Sequence, residues 1–186
     1  STLSQYYIKY PLRTGYPKED MRSKFFSNIN SKAFNAILKN LEEQQYLVSR
    51  SNEISLFNYI PIPGKKEERA INYTIDILNQ QLFNPPSIEE IQNDLNINNA
   101  DMAEVLNYMV NKGQIIKLEG DIYFSKIAIE EGKRILEEYF KENKELSLAT
   151  ARDLLKTSRK YALPLVEYYD RIRFTRRIGD MRIKAK

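Results

Sequence analysis

The chain has 186 residues, of which 42% are hydrophobic and 29% charged, a balance typical of a folded protein and not of a disordered one. It contains no cysteine and no histidine. This composition excludes thiolate nucleophiles, disulfides, zinc sites built on those residues and imidazole acid–base catalysis. No apolar run approaches the roughly 18 residues of a membrane span, and the first residues lack the order of a signal peptide. We therefore expect a cytoplasmic protein that contacts no membrane, and because the chain opens at Ser1 we expect a piece of a longer protein.

The basic residues are concentrated at the carboxyl end. Residues 1–150 hold 18 basic and 21 acidic side chains, a net charge of −3, whereas residues 151–186 hold 11 and four, a net charge of +7. This asymmetry predicts a polyanionic partner for the carboxyl end, either nucleic acid or an anionic membrane face. The earlier, acidic part is predicted to make few contacts with phosphate.

The first 66 residues contain a weak helix-and-hairpin pattern. Four tyrosines crowd its start and predict core packing or contact with a neighbouring segment: Tyr6, Tyr7, Tyr10 and Tyr16. A set of apolar residues reappears 68 positions later in the chain: Leu38, Leu41, Leu47 and Ile54. Residues 61–66, PIPGKK, then form a stiff polar joint, because proline favours extended backbone.

Residues 67–125 carry a clearer pattern. Helical apolar spacing over 67–82 ends at Asn84 and two prolines, and Ser87 with Glu90 is the capping-box signature of a second helix. A third helix over 98–112 ends at Gly113, a residue suited to left-handed backbone. Strand-like residues 114–118 and 122–125 flank a turn. Three helices and a hairpin predict a helix-turn-helix core with a wing.

The same order recurs in residues 127–186. A shift of 59 aligns Asp94 with Asp153, Leu106 with Leu165 and Gly120 with Gly179. We therefore predict a mainly helical α+β fold, a tandem array of three winged-helix domains over residues 1–64, 67–126 and 127–186, called here the first, second and third repeats. The second and third repeats join with almost no linker, which predicts a fairly fixed mutual orientation.

No motif predicts catalysis. Gly64 precedes two lysines but lacks the upstream glycine of a phosphate-binding loop. Adjacent acidic pairs, such as Glu89 with Glu90, point in different directions on a helix and are typical of solvated faces. We expect no catalytic residue, no cofactor and no metal site.

The basic third repeat contains the candidate binding site. Ser158 is a predicted N-cap, and the three residues after it occupy the first helical turn, where backbone N–H groups and the helix dipole favour an anion. The predicted wing is rich in arginine where the second repeat has aliphatic side chains. The candidate nucleic-acid-binding residues are Ser158, Arg159, Lys160, Tyr161, Arg173, Arg176, Arg177 and Arg182. Internal salt bridges that fix the helices are the alternative interpretation of four other charged residues: Arg152, Asp153, Asp170 and Arg171.

Two long segments resemble a known family. RDLLKTSRKYALPLVEYYDRI followed by TRRIGDMR, within residues 152–182, and PLRTGYPKEDMRSKFF at residues 11–26 are similar to the carboxyl-terminal winged-helix region of the bacterial selenocysteine-specific elongation factors, the SelB family. The resemblance implies a tandem winged-helix extension of a translation GTPase whose catalytic domain is absent from this chain. It also implies that the last winged helix binds the selenocysteine insertion (SECIS) hairpin in mRNA, through the candidate residues above.

Further expectations follow from this resemblance. The first two repeats would be a spacer between the RNA and the GTPase, and the parent protein would bring selenocysteinyl-tRNA to the ribosome for UGA recoding. We expect a monomer. The alternatives are a winged helix that inserts residues 158–171 into a DNA major groove, and a protein-docking array whose basic wing meets an acidic partner. The body of that helix, ALPLVEYYD, offers few groups that read bases.

Overall fold

The structure is a computed structural model that describes residues 2–185. They form two compact units, the amino-terminal unit (residues 1–68) and the carboxyl-terminal unit (residues 69–186). The second unit contains both the second and the third predicted repeats. The three predicted domain boundaries therefore stay a prediction.

The helices and strands follow the predicted order. The amino-terminal unit contains α1 (Thr2–Lys9), β1 (Tyr16–Pro17), α2 (Lys18–Phe25), α3 (Ser31–Glu43), β2 (Leu47–Ser49) and β3 (Glu53–Leu56), and α4 (Lys65–Gln80) begins at its end. The carboxyl-terminal unit continues with α5 (Ile88–Leu95), α6 (Asn99–Asn111), β4 (Ile115–Leu118), β5 (Ile122–Ser125), α7 (Lys126–Glu142), β6 (Leu146–Ser147), α8 (Leu148–Leu154), α9 (Arg159–Arg171), β7 (Thr175–Ile178) and β8 (Met181–Lys184).

The strands form three small antiparallel sheets, with the orders β1-β3-β2, β4-β5 and β6-β8-β7. The predicted mainly helical α+β class and the wing hairpins are confirmed. The two-residue strands β1 and β6 were not predicted, because a run of two residues carries no alternation of polar and apolar side chains. Each adds a third strand, so that β3 and β8 are central strands.

Local backbone chemistry explains where the helices start and stop. The Ser87 side chain accepts from the backbone N–H of Glu90, and the Glu90 carboxylate accepts from that of Ser87, which confirms the capping box. Gly113 has a positive φ of 67° after α6, as predicted. Gln45 and Arg173 take the same left-handed conformation after α3 and α9, with φ of 60° and 59°. The three helix ends are equivalent, which supports the repeat.

The equivalence also corrects the predicted alignment. The caps of α5 and α8, Ser87 and Ser147, are 60 residues apart, as are the starts of α6 and α9. Val105, and not Leu106, therefore corresponds to Leu165. The shift is 59 only beyond the wing turn, because three residues separate the paired ends Leu118 and Ile122 whereas two separate Ile178 and Met181. For the first repeat the predicted shift of 68 agrees with the caps of α3 and α6, Asn30 and Asn98. Beyond the wing turn that shift is 69, so Ile54 corresponds to Tyr123 and not to Ile122.

The core of the amino-terminal unit is built on aromatic residues. Phe34, Leu38 and Ile54 are buried there with Tyr7 and Tyr16, so the core prediction is confirmed for two of the four early tyrosines. The Tyr7 ring stacks on Tyr59 with centroids 3.5 Å apart. Burial raises the pKa of Tyr7 to about 12.

The second and third repeats share one core in the carboxyl-terminal unit. Phe83, from the turn after α4, packs in the same buried cluster as Leu136 of α7 and Tyr169 of α9. The Thr157 hydroxyl donates to the Phe83 carbonyl at 2.5 Å, and the Asn84 side-chain amide donates to the Lys156 carbonyl at 3.1 Å. The turn before α9 is thus fastened to the second repeat, which positions the start of that helix.

Candidate nucleic-acid interface

The start of α9 differs from the other capped helices. Ser158 has the extended backbone of an N-cap, with φ of −93° and ψ of 163°, and its carbonyl accepts from Ala162 N at 2.9 Å. Its side chain makes no capping bond, whereas the side chains of Ser87, Asn98 and Ser147 each accept one. The predicted N-cap position is confirmed, and its exposed hydroxyl is available to another acceptor or donor together with the N–H groups of the first turn.

In the first turn of α9, charged side chains lie beside an aromatic ring. Arg159 and Lys160 are exposed, and Tyr161 is half-buried against the core cluster. The Lys160 ammonium lies 5.0 Å from the centroid of the Tyr161 ring, within range of a cation–π interaction. The Tyr161 ring therefore helps to position the Lys160 ammonium, and an RNA base that stacked on this face of the ring would have to displace Lys160.

Lys160 also affects the second repeat electrostatically. The pKa of Glu90, in the first turn of α5, is lowered mainly by the backbone N–H of Ser87 that it accepts, with a smaller contribution from the charge of Lys160. Because both groups are exposed, this attraction is screened by solvent and salt and adds little to stability.

The carboxylate of Asp170 fastens the wing to α9. One oxygen accepts from the Thr175 hydroxyl of β7 at 2.6 Å, and the other accepts from Arg182 Nε of β8 at 2.8 Å. Both donors lie on the helix-facing side of the sheet, where Thr175 and Arg182 are buried. Thr175 was not among the predicted site residues, and Arg182 lies 12 residues from Asp170 in the sequence.

Arg182 accordingly differs from its expected place. It was expected to lie on the exposed basic surface, but the residue is only 3% exposed, opposite Leu146 in the central strand. One terminal nitrogen, Nη2, is buried with no hydrogen-bond partner among residues 2–185. An arginine in this position ties the wing to α9, and little of its surface is exposed to an external ligand.

The other wing arginines are exposed. Arg173 follows α9 in left-handed backbone, and Arg176 and Arg177 are neighbours on β7. Successive strand residues face opposite sides of a sheet, so Arg177 shares the helix-facing side with Thr175 and Arg176 faces away from α9. Arg177 Nε donates to the Gly179 carbonyl at 2.9 Å, across the wing turn. Within the described part of the chain, no carboxylate forms an ion pair with any of these three arginines.

The internal salt bridges proposed for the other four charged residues are only partly present. Arg152 and Asp153 form an ion pair at 2.7 Å, but they are exposed neighbours on α8 and join no two helices. Asp170 pairs with Arg182, as above, and Arg171 instead lies 5.2 Å from the centroid of the Tyr168 ring. The buried pair crosses from helix to wing and not from helix to helix.

The described residues offer little to other classes of function. Across residues 2–185, no three or more carboxylates come together in a group able to hold a metal ion. No helix in the same range is both long enough and apolar enough to cross a membrane.

Comparison with known families identifies the two ends of the chain. Two family models, both described as "Elongation factor SelB, winged helix", match it: that of the second winged-helix domain over residues 1–56 and that of the third over residues 138–183. Both matched segments are winged helices of the SelB family. The match at residues 138–183 contains α8, α9 and the wing, which carry all the candidate residues.

A curated relative is similar over nearly the whole chain. A selenocysteine-specific elongation factor from Desulfomicrobium baculatum is 23% identical over 180 residues, which are 97% of this chain and 28% of that protein. The chain thus spans little more than a quarter of the length of this curated SelB relative.

Two solved structures share the fold. The mRNA-binding domain of elongation factor SelB from E. coli, determined in complex with SECIS RNA, covers 67% of this chain and all of its own, with a TM-score of 0.56 and 23% identity. A bacterial selenocysteine-specific elongation factor, EF-Sec, covers the whole chain and 28% of its own, with a TM-score of 0.63 and 20% identity. This likeness shows a shared fold, which is consistent with tandem winged helices in this chain.

Proposed function

We propose that this chain binds an mRNA stem-loop of the SECIS type through its third repeat. The observation that carries the proposal is the group of exposed cationic side chains at the start of α9 and along the wing: Arg159, Lys160, Arg173, Arg176 and Arg177. They lie within the segment matched by a SelB winged-helix model, and the related E. coli domain is described in complex with SECIS RNA.

The geometry favours loops and bulges over the body of a duplex. The major groove of an RNA helix is deep and narrow and excludes a protein helix, so α9 would contact RNA with its first turn only. The Ser158 hydroxyl and first-turn N–H groups suit one phosphate, and guanidiniums suit phosphate oxygens and guanine edges. In this proposal Arg182 has a positioning role, because through Asp170 it fixes the wing against α9.

The larger role that we propose is that of a tether. As part of a selenocysteine-specific elongation factor in the cytoplasm, the chain would hold a translation GTPase and selenocysteinyl-tRNA near the ribosome at a UGA codon. The 28% share of the curated relative covered by this chain leaves ample length for such domains in the parent protein.

Binding to a labelled SECIS hairpin, measured by fluorescence anisotropy, tests the proposal. We expect the affinity to fall with salt by about 0.7–0.9 log units per log unit for each neutralised phosphate. A duplex DNA of matched length serves as competitor. A flat salt response, or preference for the DNA, would contradict the proposal, and equal binding to polyglutamate in place of RNA would favour a protein-docking surface.

A further inference from the structure

The acidity of the first 150 residues does not belong to the first repeat. Residues 1–64 hold eight basic and five acidic side chains, a net charge of +3, whereas residues 67–126 hold four and ten, a net charge of −6. The prediction that both early repeats are repelled by phosphate is therefore wrong for the first.

Several of these charges surround a groove between α1 and α2, which we call the tyrosine groove. Its volume is about 500 Å³, and the residues that matter for its chemistry are Tyr6, Lys9, Tyr10, Arg13, Lys24 and Phe25. Tyr6 lies 4.9 Å from Tyr10 and 4.5 Å from the buried Tyr16 between ring centroids, so the floor is aromatic and anchored in the core.

Cationic side chains lie on these rings. The Arg13 guanidinium is 4.1 Å from the centroid of Tyr10, and its Nη1 donates to the Tyr6 hydroxyl at 2.7 Å. Lys9 Nζ lies 5.1 Å from the Tyr10 centroid. The arrangement is held in place by these contacts before any ligand arrives, which reduces the entropy lost on binding.

The second wall of the groove repeats the pairing of an aromatic with a cation. Phe25, at the end of α2, is 44% exposed, and Lys24 Nζ lies 5.3 Å from its centroid. Asp20 is the acidic residue of the lining. An exposed aromatic ring beside cationic side chains is suited to single-stranded nucleic acid, because bases stack on rings while phosphates meet the charges.

We propose that the tyrosine groove binds a short unpaired stretch of nucleic acid, separately from the hairpin site of the third repeat. One base stacks on the exposed Phe25 ring in place of Lys24, and the phosphates on either side of it contact Lys9 and Lys24. A duplex is a poor ligand because pairing hides its base faces. The groove gives the chain a second contact with RNA, for a single-stranded segment beyond a stem.

The test uses the full chain and a ten-nucleotide unpaired RNA that carries fluorescein and one 2-aminopurine. Anisotropy measures affinity, and quenching of 2-aminopurine reports stacking on an aromatic ring. Replacing both Lys9 and Lys24 by glutamate should weaken binding about tenfold or more. The matched control is Lys32→Glu with Lys39→Glu, the same change of charge on α3, and it should alter binding less than about twofold.

Stacking is tested by Phe25→Ser, whose side chain is already partly in solvent. Loss of one stacked base should weaken binding by about fivefold or more and abolish part of the quenching. Circular dichroism establishes that each variant is folded. The same strand as DNA should bind too, since base faces and phosphates are common to both.

Variants distinguish binding in the tyrosine groove from binding at the hairpin site of the third repeat. Groove variants should leave SECIS hairpin affinity unchanged, and Arg177→Ala should weaken the hairpin but not the unpaired strand. Equal loss in the groove and control double variants would overturn the proposal, because it would show general attraction between charges. Competition by polyglutamate as effective as that by RNA, or unchanged quenching in Phe25→Ser, would also overturn it.

Discussion

Replacement of Arg182 by methionine tests the role that the structure assigns to this residue. The change keeps a long apolar stem in the central strand β8 but removes the charge that pairs with Asp170 at 2.8 Å. Asp170 retains its bond from Thr175. In the first repeat the corresponding central-strand position is occupied by Ile54, which is fully buried, so an uncharged side chain is sterically acceptable in this fold.

The magnitude follows from the burial of each partner. Removal of one member of a buried ion pair typically costs about 3–5 kcal/mol. The Asp170 side chain is 21% exposed, so water can solvate it in part, and the change removes the unpartnered Nη2 of Arg182, whose burial itself costs about 1–3 kcal/mol. We expect a net loss of about 2 kcal/mol. Asp170→Asn should cost more, because it leaves the charge of Arg182, with a side chain only 4% exposed, buried without its partner.

Urea unfolding followed by circular dichroism measures these losses, with the double variant completing a cycle. The double variant should lose less than the sum of the single variants, by about 1.5 kcal/mol or more. Additive losses, or losses below about 0.5 kcal/mol, would refute the ion-pair argument. Hairpin affinity of the folded Arg182→Met protein should fall less than that of Arg177→Ala, and the opposite order would return Arg182 to the RNA-contacting surface.

Three further changes have defined outcomes. Arg177→Ala should weaken hairpin binding by about 1–3 kcal/mol and Arg176→Ala by less, because of these two only Arg177 lies on the face of the wing that meets α9. Equal losses in the binding assay would show that this face does not orient the RNA. Gly132→Ala should destabilise the carboxyl-terminal unit by about 1–3 kcal/mol, because the Cβ of the new alanine would overlap the Tyr169 hydroxyl. An unchanged urea midpoint would show that the Tyr169 ring can move aside. Burial raises the pKa of Tyr7 from near 10 to about 12, so its protonated hydroxyl contributes stability that is present below pH 10 and is lost as the pH rises towards 12. Tyr7→Phe should flatten this loss in urea midpoints measured from pH 9 to 12. An equal decline in the variant would show that another group causes the alkaline sensitivity.

The features that could be predicted from the sequence are local. Ser87 and Glu90 lie three residues apart and satisfy each other's backbone groups, so a capping box is visible in the letters. Gly113 marks a left-handed helix end because glycine, without a Cβ, adopts positive φ at little cost. Arg173 occupies the equivalent conformation without being glycine, and there the sequence gives no such signal.

The features that could not be predicted depend on pairing between distant segments. Asp170 was interpreted as part of salt bridges that fix the helices, but its partner Arg182 is 12 residues away and reaches it because the wing folds back on α9. The unpredicted strand β6 makes β8 a central strand, and this burial removes Arg182 from the surface. Net charge summed over 150 residues likewise concealed the basic first repeat, because the acidic second repeat outweighs it.

The shared core changes how the chain should be divided for experiments. Phe83 and Thr157 join the second repeat to the third, so a fragment that begins at residue 127 would expose the pocket that Phe83 fills. A fragment of residues 69–186 keeps this core intact. It should bind the hairpin nearly as well as the whole chain, and a large loss of affinity would show that the amino-terminal unit contacts the hairpin.

Photocrosslinking of a SECIS hairpin to the full chain, with the crosslinked peptides identified by mass spectrometry, tests the central claim most directly. The account predicts crosslinks at residues 158–161 and at Arg173 and Arg177, and none at Arg182. Crosslinks confined to the amino-terminal unit or to α5 and α6, with the start of α9 and the wing untouched, would contradict it.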